Sequence, residues 1–414
     1  MKSIYIYGRG LGYSNLKECL RGGIHIIAFI DNYTKMTESE NGIPIIDKNQ
    51  LGEIYDYIVI SIIKYSPIKN ELIERGVSDG KIISFYDYND VEREEFGEVL
   101  DRYKWKTELL WRHMREVVQP FIYNQYYEQN DMILSEQGNI PCVMTPDETI
   151  DFIISGRKSL VRFGDGEFEM MCGRLRLRYQ TVNDRLAKRL SEIIRTDDER
   201  ILIGIADNYG SLIKYTDEAA EGIRFYMSPS VRKDHMNLLN MSKRYGNAYL
   251  SRPFFIYRDK SHEVIANKFD RLKKIWRGEN ILVVEGEHTR FGVGNDLLDK
   301  ACSIKRILVP NKNAYDFYDE IFSTVKKYVE GRIVLSIIGP TATVLSYDLA
   351  KMGYWALDIG QVDTEYEWFL RGAEERCDIP YKVVSEYAEK DYFEQMPEDI
   401  RVKYNSEIVE TVGI

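Results

Sequence analysis

Ser159-Leu160-Val161-Arg162-Phe163-Gly164-Asp165-Gly166-Glu167 reads as a short β-prone run that breaks into a glycine-punctuated turn carrying two carboxylates. In open α/β sheets ligands bind beyond the carboxyl ends of strands, which is where such a turn sits. Gly164 and Gly166 let the chain turn tightly and let a ligand approach the backbone. Asp165 and Glu167 are two apart, so on extended backbone both carboxylates point the same way. That pairing suits a hard divalent cation that bridges to a phosphate. The same residues also make an ordinary solvated acidic turn, because D-x-E is short and common.

Outward from this stretch, strand-like runs at 201–206, 248–250, 281–284, 306–309, 332–338 and 355–359 alternate with helical segments at 184–195, 262–276, 315–328 and 342–351. Thr145-Pro146-Asp147-Glu148 supplies a capping-box helix start just before them. The rhythm predicts a mostly parallel, doubly wound sheet. The first 90 residues repeat it on a smaller scale, with strand signals at 3–7, 25–30, 57–63 and 81–85 and helical ones at 15–21 and 67–75. Between the two regions, Phe96, Leu100, Tyr103, Leu110, Met114 and Val117 form an amphipathic stripe over 90–119, followed by a Tyr/Asn/Gln-rich stretch to Pro141. The predicted fold class is α/β with two Rossmann-like parallel-sheet domains. The predicted boundaries are 1–90 for the N-terminal domain, 91–145 for a helical connector, 146–390 for the larger domain and 391–414 for a C-terminal tail.

Composition bounds the function. At about 150 residues per domain, 414 residues hold two or three domains. A chain that is 44% hydrophobic and 29% charged is not mainly disordered. Acidic side chains exceed basic ones by 66 to 56, and the net charge of −10 argues against broad binding to nucleic acid or anionic membranes. Cys19, Cys142, Cys172, Cys302 and Cys377 form no C-x-x-C pair, so neither a disulfide framework nor a structural zinc site is expected, and a cytoplasmic location fits. No signal-peptide core opens the sequence, and no apolar run approaches the roughly 18 residues of a transmembrane span.

Three further clusters follow strand-like runs. In Glu285–Asp296, Arg290 is placed to pair with a phosphate, the glycines free backbone amides for an anion, and Asn295 and Asp296 can hold a ribose or cap a helix. Glu287-His288 invites a metal reading, although a lone histidine beside a turn is more often a surface or hydrogen-bonding residue. Gly339-Pro340-Thr341-Ala342-Thr343 is either an anion site at a helix N-terminus or simply a helix start. Asp358–Trp368 puts three carboxylates and an aromatic pair past a strand end, as in a sugar site with a general base, or as in the acidic first turn of a helix. Arg174, Arg176 and Arg178 share one face if extended, available to phosphate or to solvent. In the N-terminal domain Gly8, Gly10 and Gly12 follow the first strand and Asp31 ends the second, the spacing of a dinucleotide fingerprint. Tyr13 stands where its third glycine belongs, so nucleotide binding and a ligand-free packing module both remain open.

Taken together, RFGDGE (162–167), SRPFF (251–255), VEGEHTRFGVGNDL (284–297), GPTATVLSYDLAKMG (339–353) and DIGQVDTEYEW (358–368) resemble the GT-D-type glycosyltransferases, including the bacterial glucosyltransferases that extend O-glycans of streptococcal serine-rich adhesins. The resemblance implies a GT-D-type domain over 146–390 that moves a hexose, UDP-glucose being the first donor to consider, from a UDP-sugar to a glycan or glycoprotein acceptor. It further implies Mn²⁺ or Mg²⁺ held by Asp165 and Glu167. On the chemistry of the residues themselves, a donor pocket is expected to draw on Arg162, Glu287, Arg290, Asn295, Asp296, Thr341 and Thr343. The family carries histidine where this chain has Gln361, which moves the expected base to Glu365 or Asp363. The run YGRGLG…FIDN…NGIPII resembles the Rossmann-like N-terminal domains of bacterial sugar acetyltransferases. Two other readings are an NAD-dependent oxidoreductase built on the first domain and a non-catalytic sugar-nucleotide-binding protein. The 90–119 helix and the tail offer surfaces for a homo-oligomer.

Overall fold

The computed structural model of the chain describes residues 2–31, 42–114, 127, 131–133, 135–173, 180–384 and 395–414. Arg174, Arg176 and Arg178 lie outside them. The chain divides into two units, Met1–Ile122 and Tyr123–Ile414.

The first unit runs β1 (Lys2–Tyr7), α1 (Leu11–Cys19), β2 (Ile24–Ile30), β3 (Ile45–Ile46), β4 (Tyr57–Ile60), α2 (Tyr65–Glu74) and β5 (Ile82–Ser84). Its parallel sheet has the order β3-β2-β1-β4-β5. Alternate residues of β1 feed opposite faces: Ile4 and Ile6 pack with Phe29 and Val59, Tyr5 and Tyr7 with Ile30 and Ile58. Burial on both faces explains why these strands read as continuous apolar runs. The amphipathic stripe after residue 90 is broken rather than continuous, forming α3 (Glu94–Val99) and α4 (Arg102–His113). Asp101 makes the break, since its Oδ1 accepts from the amides of Tyr103 and Lys104 and starts a new helix. Phe96, Val99, Leu100, Trp105 and Leu109 pack into the core of the first unit, and Trp105 Nε1 donates to the Phe85 carbonyl at 2.6 Å. The segment expected as a separate connector thus completes the first unit up to His113.

The second unit runs β6 (Cys142–Val143), α5 (Pro146–Gly156), β7 (Ser159–Phe163), α6 (Asp165–Met171), α7 (Asp184–Ile193), β8 (Ile201–Ile205), α8 (Asp217–Tyr226), α9 (Pro229–Leu238) and β9 (Arg244–Asn247). It continues through α10 (His262–Lys273), β10 (Asn280–Gly286), β11 (Ser303–Val309), α11 (Tyr318–Tyr328), β12 (Ile333–Ile337), α12 (Pro340–Lys351), β13 (Ala356–Asp358), α13 (Val362–Leu370), α14 (Glu398–Glu407) and β14 (Ile408–Thr411). The nine strands are parallel in the order β14-β11-β10-β12-β13-β7-β8-β9-β6. Val161, Phe163, Ile205, Val284 and Val334 build one face of the core, and Leu160, Leu202, Val283, Leu335 and Leu357 the other. The predicted capping box is formed: Thr145 Oγ1 accepts from the Glu148 amide, and Glu148 Oε2 from the Thr145 amide.

Two expectations are corrected. The run at 248–250 is a 3₁₀ turn (Ala248–Ser251), because the Asn247 side chain accepts from the Tyr249 amide at 2.9 Å and curls the chain just past β9. The segment expected as a tail forms α14 and the edge strand β14, which pairs with β11 in the larger sheet. Among the described residues, no helix is long and apolar enough to cross a membrane.

In the first unit a Cβ on Gly12 would sit 1.7 Å from the Ser61 carbonyl oxygen, so α1 approaches the end of β4 through a glycine. Overpacking a fixed contact of this kind costs about 1–3 kcal/mol. Gly12→Ala is expected to raise amide hydrogen exchange throughout β1 and β4 and leave β7 and β10 unchanged, as measured on the full chain.

Candidate active site

The carboxyl ends of β7, β8, β10, β12 and β13 open onto a cleft of about 570 Å³. This is where an open α/β sheet places its ligand, and the size suits a small-molecule site. Arg162, Asp165, Glu167, Glu287, Asp358 and Asp363 line it, together with Tyr249, Ser251, Arg252, His288, Asn311, Lys312, Gln361 and Lys382.

The two carboxylates after β7 do not stand on extended backbone. Gly164 is the N-cap of α6, so Asp165 and Glu167 occupy its first turn. Glu167 Oε2 accepts from the Gly164 amide at 2.8 Å and Asp165 Oδ1 from the Gly166 amide at 3.1 Å. Residues two apart on a helix point in nearly opposite directions, yet both side chains reach the cleft because it wraps around the start of α6. Burial and then the nearby Asp358 carboxylate push Glu167 up to about 7, against the pull of the Gly164 amide and Arg162. Burial is the larger cause, and the neighbouring Asp358 charge adds to it.

Arg162 is committed within the protein. Its Nη2 donates to Asp358 Oδ1 at 2.5 Å, its Nε to the Asp358 carbonyl at 2.9 Å, and its Nη1 to Ser251 Oγ at 2.9 Å. Thr343 completes the knot, donating from Oγ1 to the Arg162 carbonyl at 2.9 Å and lying 3.3 Å from Asp358 Oδ2. Gly360 (φ 47°) makes the room, since a Cβ there would fall 2.1 Å from Arg162 Nη2. Thr341 is fully buried in α12 and Thr343 serves this internal knot, and neither lines the cleft.

The loop after β10 is sorted the same way. Glu287 and His288 face the cleft, whereas Arg290 turns inward with φ 49° and donates from Nη1 to the Tyr381 carbonyl at 2.6 Å. Asn295 Nδ2 bridges Asp363 at 2.8 Å and Glu367 at 2.7 Å, and Asp296 is held by Lys273 at 2.9 Å and Tyr366 at 2.5 Å. Arg290, Asn295 and Asp296 therefore lie outside the cleft lining. Asp363 lines it but has both oxygens engaged, Oδ1 by Asn295 and Oδ2 by the buried Lys382 ammonium at 2.7 Å. Glu365 does not reach it: the fully buried carboxylate accepts from the amides of Phe254 at 3.0 Å and Phe255 at 2.9 Å.

Residues 160–387 match the family model described as glycosyltransferase GT-D fold. The chain belongs to this family. Residues 1–83 match a second model, described as C2185-like, N-terminal. The GT-D chain is 37% identical over 246 residues to the probable glycosyl transferase Gly of Streptococcus gordonii, covering 59% of this chain and 35% of that protein. It is 38% identical over 271 residues to glycosyltransferase GlyD of Streptococcus pneumoniae, covering 64% of this chain and 31% of that protein. The chain thus spans about a third of the length of the curated relatives it matches. A solved structure described as a new glycosyltransferase from Streptococcus sanguinis superposes with a TM-score of 0.61 at 34% identity, over 66% of this chain and 100% of that one. Another, described as having a distinct glycosyltransferase fold, gives 0.62 at 34% identity, over 68% and 100%.

Within the GT-D domain, the structure brings Arg162, Asp165, Glu167, Glu287 and Asp363 to one cleft and leaves Arg290, Asn295, Asp296, Thr341, Thr343 and Glu365 outside it. Sequence reasoning missed Arg252, Asn311, Lys312 and Lys382. Asn311 and Lys312 directly follow the β11 run, so the strand-end rule alone would have found them. Lys382 sits in an irregular segment after Tyr381 and carries no local signal. In the N-terminal unit Gly8 (φ 91°) makes the turn after β1, Gly10 caps α1, and Gly12 serves close packing. Asp31 accepts from Arg9 Nε at 2.9 Å, so the acid that would meet a ribose is paired with the turn after β1.

The Arg162–Asp358 pair makes a stability prediction. Arg162→Ala leaves Asp358, 3% exposed, without its counter-charge, which typically costs about 3–5 kcal/mol. Urea unfolding of the second unit is expected to show that loss of unfolding free energy as a lower midpoint, with exchange in β1 and β4 unaffected.

Proposed function

We propose that the chain is a metal-dependent glycosyltransferase that moves a hexose from a UDP-sugar, UDP-glucose first among them, to a hydroxyl of a glycan acceptor in bacterial glycoprotein or surface-polysaccharide synthesis. The observation that carries the reading is the strand-end cleft, in which two carboxylates at the start of α6 share a lining with the cations Arg252 and Lys312. Departure of UDP builds negative charge on its diphosphate, and fixed cations in a partly desolvated cleft favour that charge. A carboxylate-lined wall alone would repel the donor.

The residues fit a hard divalent cation. Asp165 and Glu167 offer oxygen donors only, and the raised proton affinity of Glu167 is relieved by positive charge at that spot. A Mg²⁺ or Mn²⁺ at such a spot is commonly bound by one or two carboxylates plus substrate phosphate. Such an ion, when bound, supplies Lewis-acid stabilisation of the leaving diphosphate. Tyr249 offers an aromatic face beside the cleft, fixed by its hydroxyl on Asn208 Oδ1 at 2.6 Å.

A panel of UDP-sugars assayed with Mn²⁺ tests the reading. Asp165→Asn and Glu167→Gln are expected to lower turnover by about 100-fold or more, the range for lost transition-state electrostatics. Normal turnover in both variants sinks the metal assignment. The pH dependence of metal binding has a definite sign. Below about 7 the Glu167 carboxyl holds a proton that a cation must displace, so Mn²⁺ affinity rises with pH and levels off above that value. Calorimetric titrations at pH 6 and pH 8 are expected to differ about tenfold in affinity, with proton release at the lower pH. Equal affinity at both values contradicts Glu167 as a ligand.

A further inference from the structure

We infer that Glu287 is the general base that deprotonates the acceptor hydroxyl, and that transfer therefore inverts the anomeric configuration. The inference rests on the glycosyl-transfer reading above. A base needs a carboxylate oxygen that is open to substrate, not already committed, and held in place. Among the described residues five carboxylates line the cleft, and four are spoken for. Asp358 is bound by Arg162 and Thr343, and Asp363 by Asn295 and Lys382, with 3% and 4% of their surfaces exposed. Asp165 and Glu167 each lend an oxygen to the first-turn amides of α6 and face the cation assigned to that wall.

Glu287 is different. Its side chain is 32% exposed, and its carboxylate lies 3.7 Å from His288 Nε2, beyond hydrogen-bond length. Among the described residues its carboxylate accepts no hydrogen bond. Its backbone is nevertheless fixed from three sides. The Glu287 amide donates to the Val309 carbonyl at 3.0 Å, the His288 amide to Asn311 Oδ1 at 3.3 Å, and the Val383 amide to the His288 carbonyl at 3.0 Å. Gly286 permits this contact, because a Cβ there would lie 2.3 Å from Asn311 Oδ1.

Position agrees with role. β10 connects to β11 on one side and has β12 on the other, so Glu287 follows the strand at which the order of the sheet reverses, the usual ligand crevice. Between β10 and β7 stand β12 and β13, a separation of three strand spacings or about 14 Å. A donor anchored by its diphosphate at the α6 wall thus presents its anomeric carbon to the β10 wall from the side opposite the leaving group. The acceptor oxygen attacks that carbon, forming the new C–O bond as the carbon–phosphate-oxygen bond breaks. The electron pair leaves on UDP, and the acceptor proton passes to the Glu287 carboxylate.

Glu287→Gln and Glu287→Ala, compared with wild type using a UDP-hexose and Mn²⁺, test this. Transfer is expected to fall by about 10²–10⁴-fold, the usual contribution of a general base. Mn²⁺ affinity by electron paramagnetic resonance and UDP affinity by calorimetry are expected to stay at wild-type values. Azide, which needs no deprotonation, is expected to restore turnover in Glu287→Ala and yield a glycosyl azide of inverted configuration. Wild-type turnover in Glu287→Gln, a matching loss of UDP affinity, or a wild-type product of retained configuration each overturns the assignment. A wild-type protein that turns over no UDP-hexose overturns the parent reading as well. Activity lost in Asp165→Asn but kept in Glu287→Gln overturns only this one.

Discussion

Arg162 reaches from β7 to Asp358 at the end of β13, and the sheet is weakest at that seam. β13 is three residues long and meets β7 at a single register pair, Leu357 with Leu160. A ladder that short leaves most of the backbone polar groups at the seam to find other partners. Side chains supply them: Ser159 Oγ donates to the Tyr354 carbonyl and accepts from the Ala356 amide, and Trp355 Nε1 donates to the Lys158 carbonyl. Arg162–Asp358 closes the carboxyl end of the same seam, where the cleft lies. A buried pair persists only when each charge is met by its partner and by further hydrogen bonds, which Ser251 and Thr343 contribute. The knot therefore fixes the spacing between the two halves of the sheet, and with it the width of the cleft.

This requirement sorts the acidic side chains. A carboxylate withdrawn from water must be paired, and once paired it has little capacity left for chemistry. Glu285, Asp358, Asp363 and Glu365 are of this kind, each buried and each spent on a neighbour. Asp165, Glu167 and Glu287 keep access to the cleft. An acidic chain is thus compatible with a phosphate-bearing donor, because much of its cleft-side acidity is cancelled internally by Arg162 and Lys382.

The order and type of most elements were legible in the sequence, since short continuous apolar runs and helix starts such as Thr145–Glu148 act locally. The strand-end position of the RFGDGE turn also followed from pattern alone. Orientation was not legible. Arg290 and Glu365 sit in the right segments, but a left-handed backbone turn sends one inward and two orphan amides claim the other. Both outcomes depend on residues about ninety or more positions away, Tyr381 for Arg290 and Phe254 and Phe255 for Glu365. The break at Asp101 was a local signal that the apparent apolar stripe concealed: beyond it the buried positions are Trp105 and Leu109, while the expected Tyr103 and Met114 are exposed.

The same logic explains why the C-terminal segment belongs to the catalytic fold. Glu285 ends β10 deep in the protein and pairs with Arg306 on β11 at 2.7 Å, while Arg306 Nε reaches Glu407 on α14 at 2.7 Å. The second oxygen of Glu285 accepts from the Phe291 amide at 2.6 Å, and Phe291 lines the cleft. Two acids around one guanidinium leave a net negative charge that the Phe291 amide helps to hold, so the chain must turn back after β10 rather than run on. That turn presents Glu287 and His288 to the cleft. The apparent tail thus acts on the site through charge: Glu407 holds Arg306, Arg306 holds Glu285, and Glu285 sets the loop that carries the cleft's least committed carboxylate.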